Sequence, residues 1–207
     1  MSQNSLQKYI KILIEKLTII ENSRLVYKQL IELCGVGKQF ECVIKKSNCF
    51  WSLTIKSISF LIITELAKIY DEQKDSIGIR KIINISSQNK NWFSKWCEEY
   101  GISQNEFISR LEMRYFDIKD KREKLKEIRD KELAHNDKYN LFNQESICAG
   151  FTWGDIEDLI ETAYTIINEI SVSLSGCEYM IKFSNYDDIN NLIKNAYKGM
   201  NNVDKLN

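Results

Sequence analysis

The chain contains no proline, and only 8 of its 207 residues are glycine. Proline interrupts helices and glycine weakens them, so their scarcity favours long helices. It also argues against a sandwich or barrel, whose many turns recruit those residues. Net charge is missing as well: 29 Lys and Arg balance 29 Asp and Glu, for a formal charge of +0. Any attraction for nucleic acid must then come from a local patch. The six cysteines are Cys34, Cys42, Cys49, Cys97, Cys148 and Cys177; they form no Cys-x-x-Cys pair, and one histidine stands with them. This set argues against a zinc site, and no metal or cofactor is expected. Reduced, mostly buried thiols in a cytoplasmic protein are the expectation. The opening residues, Met1-Ser2-Gln3-Asn4-Ser5, lack the basic stretch and unbroken apolar run of a signal peptide. Glu65 and Lys68 interrupt the end of the most apolar stretch, Ile58 to Ile69. That stretch is short and reads as a core helix, with no membrane partner.

What is present is helical periodicity. The 43% hydrophobic content is enough for a buried core, and the length suits one domain with a small appendage. Leu6, Ile10, Leu13, Ile14, Leu17 and Ile20 start a long first helix that stops at Gly35-Val36-Gly37. A second helix runs from Ser47 or Asn48 to Tyr70; it is rich in Ile and Thr, so a strand pair is the alternative. Ile77 to Ile85 reads as a short helix, and Trp92, Phe93 and Trp96 as an aromatic cluster ending near Gly101. Such aromatics are core more often than base-stacking platforms. Ser103-Gln104-Asn105-Glu106 has the capping-box pattern, opening a helix through Phe107, Leu111, Tyr115, Ile118, Leu125 and Ile128 to about His135. Thr152-Trp153-Gly154-Asp155 opens another, closed near Gly176. A weaker pattern spans Tyr186 to Tyr197. The expected fold is all-α: an antiparallel bundle of about four to six helices over 1–176. Residues 177–207 are expected as a C-terminal helical extension or tail.

One segment holds residue types suited to phosphate chemistry. His135, the only histidine, titrates near neutral pH and can move a proton. Arg129, six positions earlier, keeps its charge and can grip a phosphate with parallel hydrogen bonds. Together they supply two parts of a metal-free RNA-cleaving site. On a regular helix six residues turn the direction by about 240°, so the two would not share a face. Either the helix distorts or ends near His135, or a second chain completes the site at a dimer axis. The bland alternative is a histidine that caps the last carbonyls of a helix. Lys119 to Lys131 holds seven basic and four acidic residues. It reads as a solvated face with Glu–Lys pairs or as a phosphate-binding face leading to Arg129, and the solvated face is the commoner case. Glu65 and Asp71 are possible facing-helix partners: Glu65 is either a partly buried acid paired with Arg129 or a surface residue.

The stretch Ile128-Arg129-Asp130-Lys131-Glu132-Leu133-Ala134-His135-Asn136-Asp137 resembles the signature of the HEPN superfamily. That signature is an arginine, a polar residue, a few more residues, then a histidine. The form Arg-Asp-Lys followed by Ala-His-x-Asp is especially similar to the AbiU-type abortive-infection branch. The helix ending Glu65-Leu66-Ala67-Lys68-Ile69-Tyr70-Asp71, followed by Ser76-Ile77-Gly78-Ile79, is similar to that branch's layout, and the resemblance covers about residues 5 to 176. It implies that Arg129 and His135 are the catalytic pair of a ribonuclease. Asp130 would orient the pair, with Lys131, Asn136 and Asp137 in support. It further implies metal-independent cleavage of RNA, a homodimer with a composite cleft, and a role as a toxin or phage-defence effector. A regulator or antitoxin would be a separate protein. The alternative is a non-catalytic HEPN module that binds RNA, nucleotide or a regulatory partner.

Overall fold

The computed structural model describes residues 2–130, 150–181 and 187–203, which contain helices and no strand. The helices are α1 (Gln3–Cys34), α2 (Glu41–Lys46), α3 (Asn48–Ile69) and α4 (Ile79–Gln88). A 3-10 turn at Lys90–Phe93 leads into α5 (Ser94–Glu99), followed by α6 (Gln104–Asp117), α7 (Lys119–Ile128), α8 (Trp153–Ser175) and α9 (Asp188–Val203). The all-α class read from the sequence is the class observed. The helices outnumber the expected set for two reasons. The short α2 lies where the apolar pattern is weak, and the single helix expected from Ser103 to His135 breaks at Ile118. There the backbone leaves helical geometry, with φ −99° and ψ 17°. No glycine or proline marks the break. Tertiary contacts hold it: Ile118 is buried, Lys121 pairs with Asp155 and Asp158 of α8, and Arg122 pairs with Glu72.

The described chain divides into two units. The first comprises residues 1–17 and 63–181, the second residues 18–62 and 182–207. The division falls inside α1 and inside α3. Of the C-terminal residues, 177–181 fall in the first unit and 187–203 in the second.

In the first unit α4, α6 and α8 pack on one another, with α5 and α7 against α8. Phe93 and Phe107 are fully buried with ring centroids 5.1 Å apart, and Trp96 lies 5.3 Å from Phe107. Of the aromatic cluster, Phe93 thus belongs to the core, with the half-buried Trp96 packed beside it. Helix α8 starts at the expected capping box: Asp155 N–H donates to the Thr152 hydroxyl at 3.2 Å, and Thr152 N–H donates to the Asp155 carboxylate at 2.7 Å. Such reciprocal caps satisfy donors that no helical carbonyl reaches. It ends at Gly176 in the left-handed region, φ 69°, a conformation that costs a side-chain-bearing residue more. The chain beyond is strapped back onto α8. Asn168 donates to the Tyr179 carbonyl at 3.0 Å and accepts from Tyr179 N–H at 2.9 Å.

The second unit is built on a separate apolar cluster of Leu30, Cys34, Phe40, Val43, Trp51 and Ile193. Helix α9 supplies Ile193 and also Tyr197, whose ring meets Phe40 edge-on at 5.3 Å. The reading of α3 as a core helix holds only in part. Leu66, Ala67 and Ile69 are buried, but Phe50 is 62% and Leu53 66% exposed. It is also the one helix among the described residues long and apolar enough, by length and composition, to cross a membrane. The thiols depart from expectation in burial alone. Cys34 and Cys97 are buried, Cys42 is half-buried, and Cys49 and Cys177 are exposed; these five are free, and Cys148 lies outside the described residues.

Candidate active site

The site is built where α7 faces the chain that leaves α3. At the end of α3 the polar connection after Tyr70 folds back on itself. The Ser76 hydroxyl donates to the carbonyls of Asp71 and Gln73 at 3.0 and 2.8 Å, and the Gln73 N–H donates to the Asp71 carboxylate at 3.3 Å. Gly78 closes this turn by close approach: a Cβ there would lie 2.7 Å from the carbonyl oxygens of both Ile69 and Asp71. Only glycine fits beside two backbone oxygens at that range. The turn thereby presents Asp71, Glu72 and Gln73 to α7.

Opposite them, α7 is amphipathic. Leu125 and Ile128 are buried, while Lys119, Arg122, Lys126 and Arg129 follow one another at helical spacing on a single face. The two sides enclose a cleft of about 420 Å³ lined by Tyr70, Asp71, Glu72, Arg122, Lys126 and Arg129, among others. Arg129 is half-buried there. Its Nε and a terminal nitrogen each lie 2.7 Å from the Asp130 carboxylate. A guanidinium carries more donors than one carboxylate oxygen satisfies, so it can still grip an anion. The backbone changes at this point: Arg129 and Asp130 take π-helical form, and the Arg129 N–H reaches the carbonyls of both Leu125 and Lys126. Local widening of this kind recurs at functional sites.

Glu72, on the cleft lining, accepts from the Tyr115 hydroxyl and from Arg122, each at 2.7 Å. The Tyr115 hydrogen bond, which outweighs the opposing effect of burial, holds the Glu72 carboxyl below the usual range with the help of the Arg122 hydrogen bond and charge. Burial and the adjacent carboxylate push the Tyr115 phenol upward, so it stays a proton donor. The neighbouring Tyr70 hydroxyl is buried and donates to the Leu159 carbonyl at 2.5 Å. Among the described residues no group of three or more His, Cys, Asp or Glu is placed to hold a metal.

Of the residues singled out in the sequence, the structure brings Arg129 and Asp71 to one cleft and sets Asp130 against Arg129. Glu65 does not reach that cleft lining; its carboxylate pairs with Lys68 at 2.6 Å. Lys131, His135, Asn136 and Asp137 lie outside the described residues. Sequence reasoning missed Glu72, Tyr115 and the cleft position of Arg122. The helical spacing of Lys119, Arg122, Lys126 and Arg129 was the available signal for one shared face. Nothing local pointed to Glu72, which is far from Tyr115 and Arg122 in the chain.

No curated protein and no solved structure matches the chain. A match to the AbiU2 family of HEPN domains extends over residues 17–197, which takes in α7, the whole Arg129 to His135 segment and part of α9. A match over so much of the chain shows that the protein belongs to the AbiU2 family of HEPN domains.

Proposed function

We propose that this chain is a metal-independent endoribonuclease acting as a toxin or phage-defence effector. The ribose 2′-hydroxyl attacks the adjacent phosphorus as the bond to the leaving 5′-oxygen breaks. Water is not needed for this step, and the product end is a cyclic phosphate. His135 takes the proton from the 2′-hydroxyl or gives one to the leaving oxygen. Arg129 stabilises the charge that gathers on the phosphate oxygens. The observation that carries this reading is the position of Arg129 in a cleft beside three further basic residues of α7. Family membership supports it. Two copies at a dimer axis would supply one histidine for each proton transfer, which answers the angular separation of Arg129 and His135 on a regular helix. A separate regulator would keep such an effector in check.

The test is cleavage of total cellular RNA in the presence of EDTA by the wild type, His135→Ala and Arg129→Ala. The wild type is expected to cut and leave cyclic phosphate ends, and each variant to lose about 10²-fold or more in rate. Equal cleavage by all three overturns the assignment. Full activity at dilutions where the chain is monomeric overturns the composite site. Binding of RNA with no cleavage assigns the chain to the non-catalytic HEPN modules.

A further inference from the structure

Glu72 and Arg122 line the cleft and meet the buried Tyr115 behind it, a contact that the Arg129–His135 pair does not use. Its two donors are fixed. The Arg122 guanidinium carbon lies 3.7 Å from the centroid of the Tyr115 ring, and Arg80 approaches the same ring at 5.8 Å. The Arg122 side chain is 14% exposed, whereas that of Glu72, the acceptor, is 57% exposed. One oxygen that receives a phenol and a guanidinium is a position a phosphate oxygen fills equally well. Arg122 also has a donor to spare: its Nε is buried with no hydrogen-bond partner among the described residues. A buried donor of this kind asks for an acceptor. Lys119 and Lys126 line the same cleft on either side of Arg122 along the helix.

We propose that Tyr115 and Arg122 form a second phosphate subsite for the RNA strand, and that Glu72 competes with the strand for those donors. The identity of the ligand rests on the nuclease reading above. Arg122 and Arg129 stand two helical turns apart on one face, about 10 Å along the axis. A strand laid along α7 therefore meets them with different phosphates. Glu72 is displaced when the strand binds, so its charge works against RNA.

The experiment measures binding of a short single-stranded RNA with methylated 2′-hydroxyls, which cannot be cut by 2′-hydroxyl attack, by fluorescence anisotropy on the full chain. Glu72→Gln is expected to bind about three- to tenfold tighter than the wild type. Arg122→Gln is expected to bind about tenfold more weakly, the size of a lost charge-assisted hydrogen bond. Its plot of log affinity against log salt should be shallower by about 0.7. Arg122 is packed, so Lys126→Gln, at an exposed position, serves as a second variant and should weaken binding by about threefold. Unchanged or weaker binding by Glu72→Gln, with helical content intact, overturns the subsite. Cleavage of total RNA is scored in parallel. A wild type that cuts without these binding shifts removes the subsite and keeps the nuclease; shifts without cutting do the reverse. No binding by any form together with no cleavage overturns both.

Discussion

The contacts seen inside the first unit differ in kind from those seen inside the second. In the first, polar contacts join segments far apart in the chain: Arg122 and Tyr115 meet Glu72, Lys121 meets Asp155 and Asp158, and Arg114 meets Glu169 at 3.0 Å. In the second, the pairs Glu21–Arg24, Lys28–Glu32 and Glu41–Lys45 each stay within one helix. An apolar cluster around Phe40, Trp51 and Ile193 joins distant segments there. Apolar burial is strong but non-directional, whereas hydrogen bonds to charged groups fix distance and angle. Directed contacts suit a region where the proposed reaction would need arginine and tyrosine held in place. Non-directional contacts suit the closing of an apolar cluster.

Three substitutions and one titration sharpen this contrast. The largest effect is expected from Phe40→Ala, which empties the middle of the second unit's cluster. It should cost about 3–5 kcal/mol in urea unfolding and leave the cleft chemistry of the folded fraction unchanged. Loss of RNA cleavage by fully folded Phe40→Ala would break the separation of roles. Next is Gly78→Ala in the first unit. The added methyl meets two backbone oxygens, so about 1–3 kcal/mol should be lost. The turn that carries Glu72 should shift with it, visible as a changed amide spectrum at residues 71–76. Thr152→Ala removes half of the capping box and should cost about 1 kcal/mol in thermal unfolding. A neutral result would mean that Asp155, through Lys121, holds the start of α8 unaided.

The smallest effect concerns acid. The folded protein holds the Glu72 carboxyl below its ordinary value of 4.5. A lowered carboxyl stabilises the fold while ionised, so its contribution is complete above that value and is lost as pH falls below it. Glu72 is largely exposed, so solvent screening keeps the effect small. The urea midpoint of the wild type should fall slightly more on acidification than that of Glu72→Gln. Parallel curves would mean the carboxylate adds nothing to stability.

The sequence revealed those parts of the fold that are set locally. The Thr152 box and the Gly176 stop need only neighbouring residues, and the long α1 needs only periodicity. The break at Ile118 was hidden because its cause lies elsewhere: in Glu72, in α8, and in the packing of Ile118 itself. The exposed face of α3 was hidden for a related reason. Ile, Leu and Phe look alike whether or not another element covers them. At the site, Arg129 could be read because its neighbours form a family signature. Glu72, Tyr115 and Arg122 carry no such signature; the fold alone assembles them.

The second unit's cluster sets an order of events during synthesis. Phe40 and Trp51 leave the ribosome early, but Ile193 and Tyr197, which close over Phe40, are made only after every residue of the first unit. Contacts between such distant positions form slowly. The nascent chain therefore carries an open apolar surface while α7 and its arginines are already outside. If the chain cuts RNA as proposed, late closure would keep a half-made molecule a client of chaperones and delay the finished cleft until Ile193 and Tyr197 have been made.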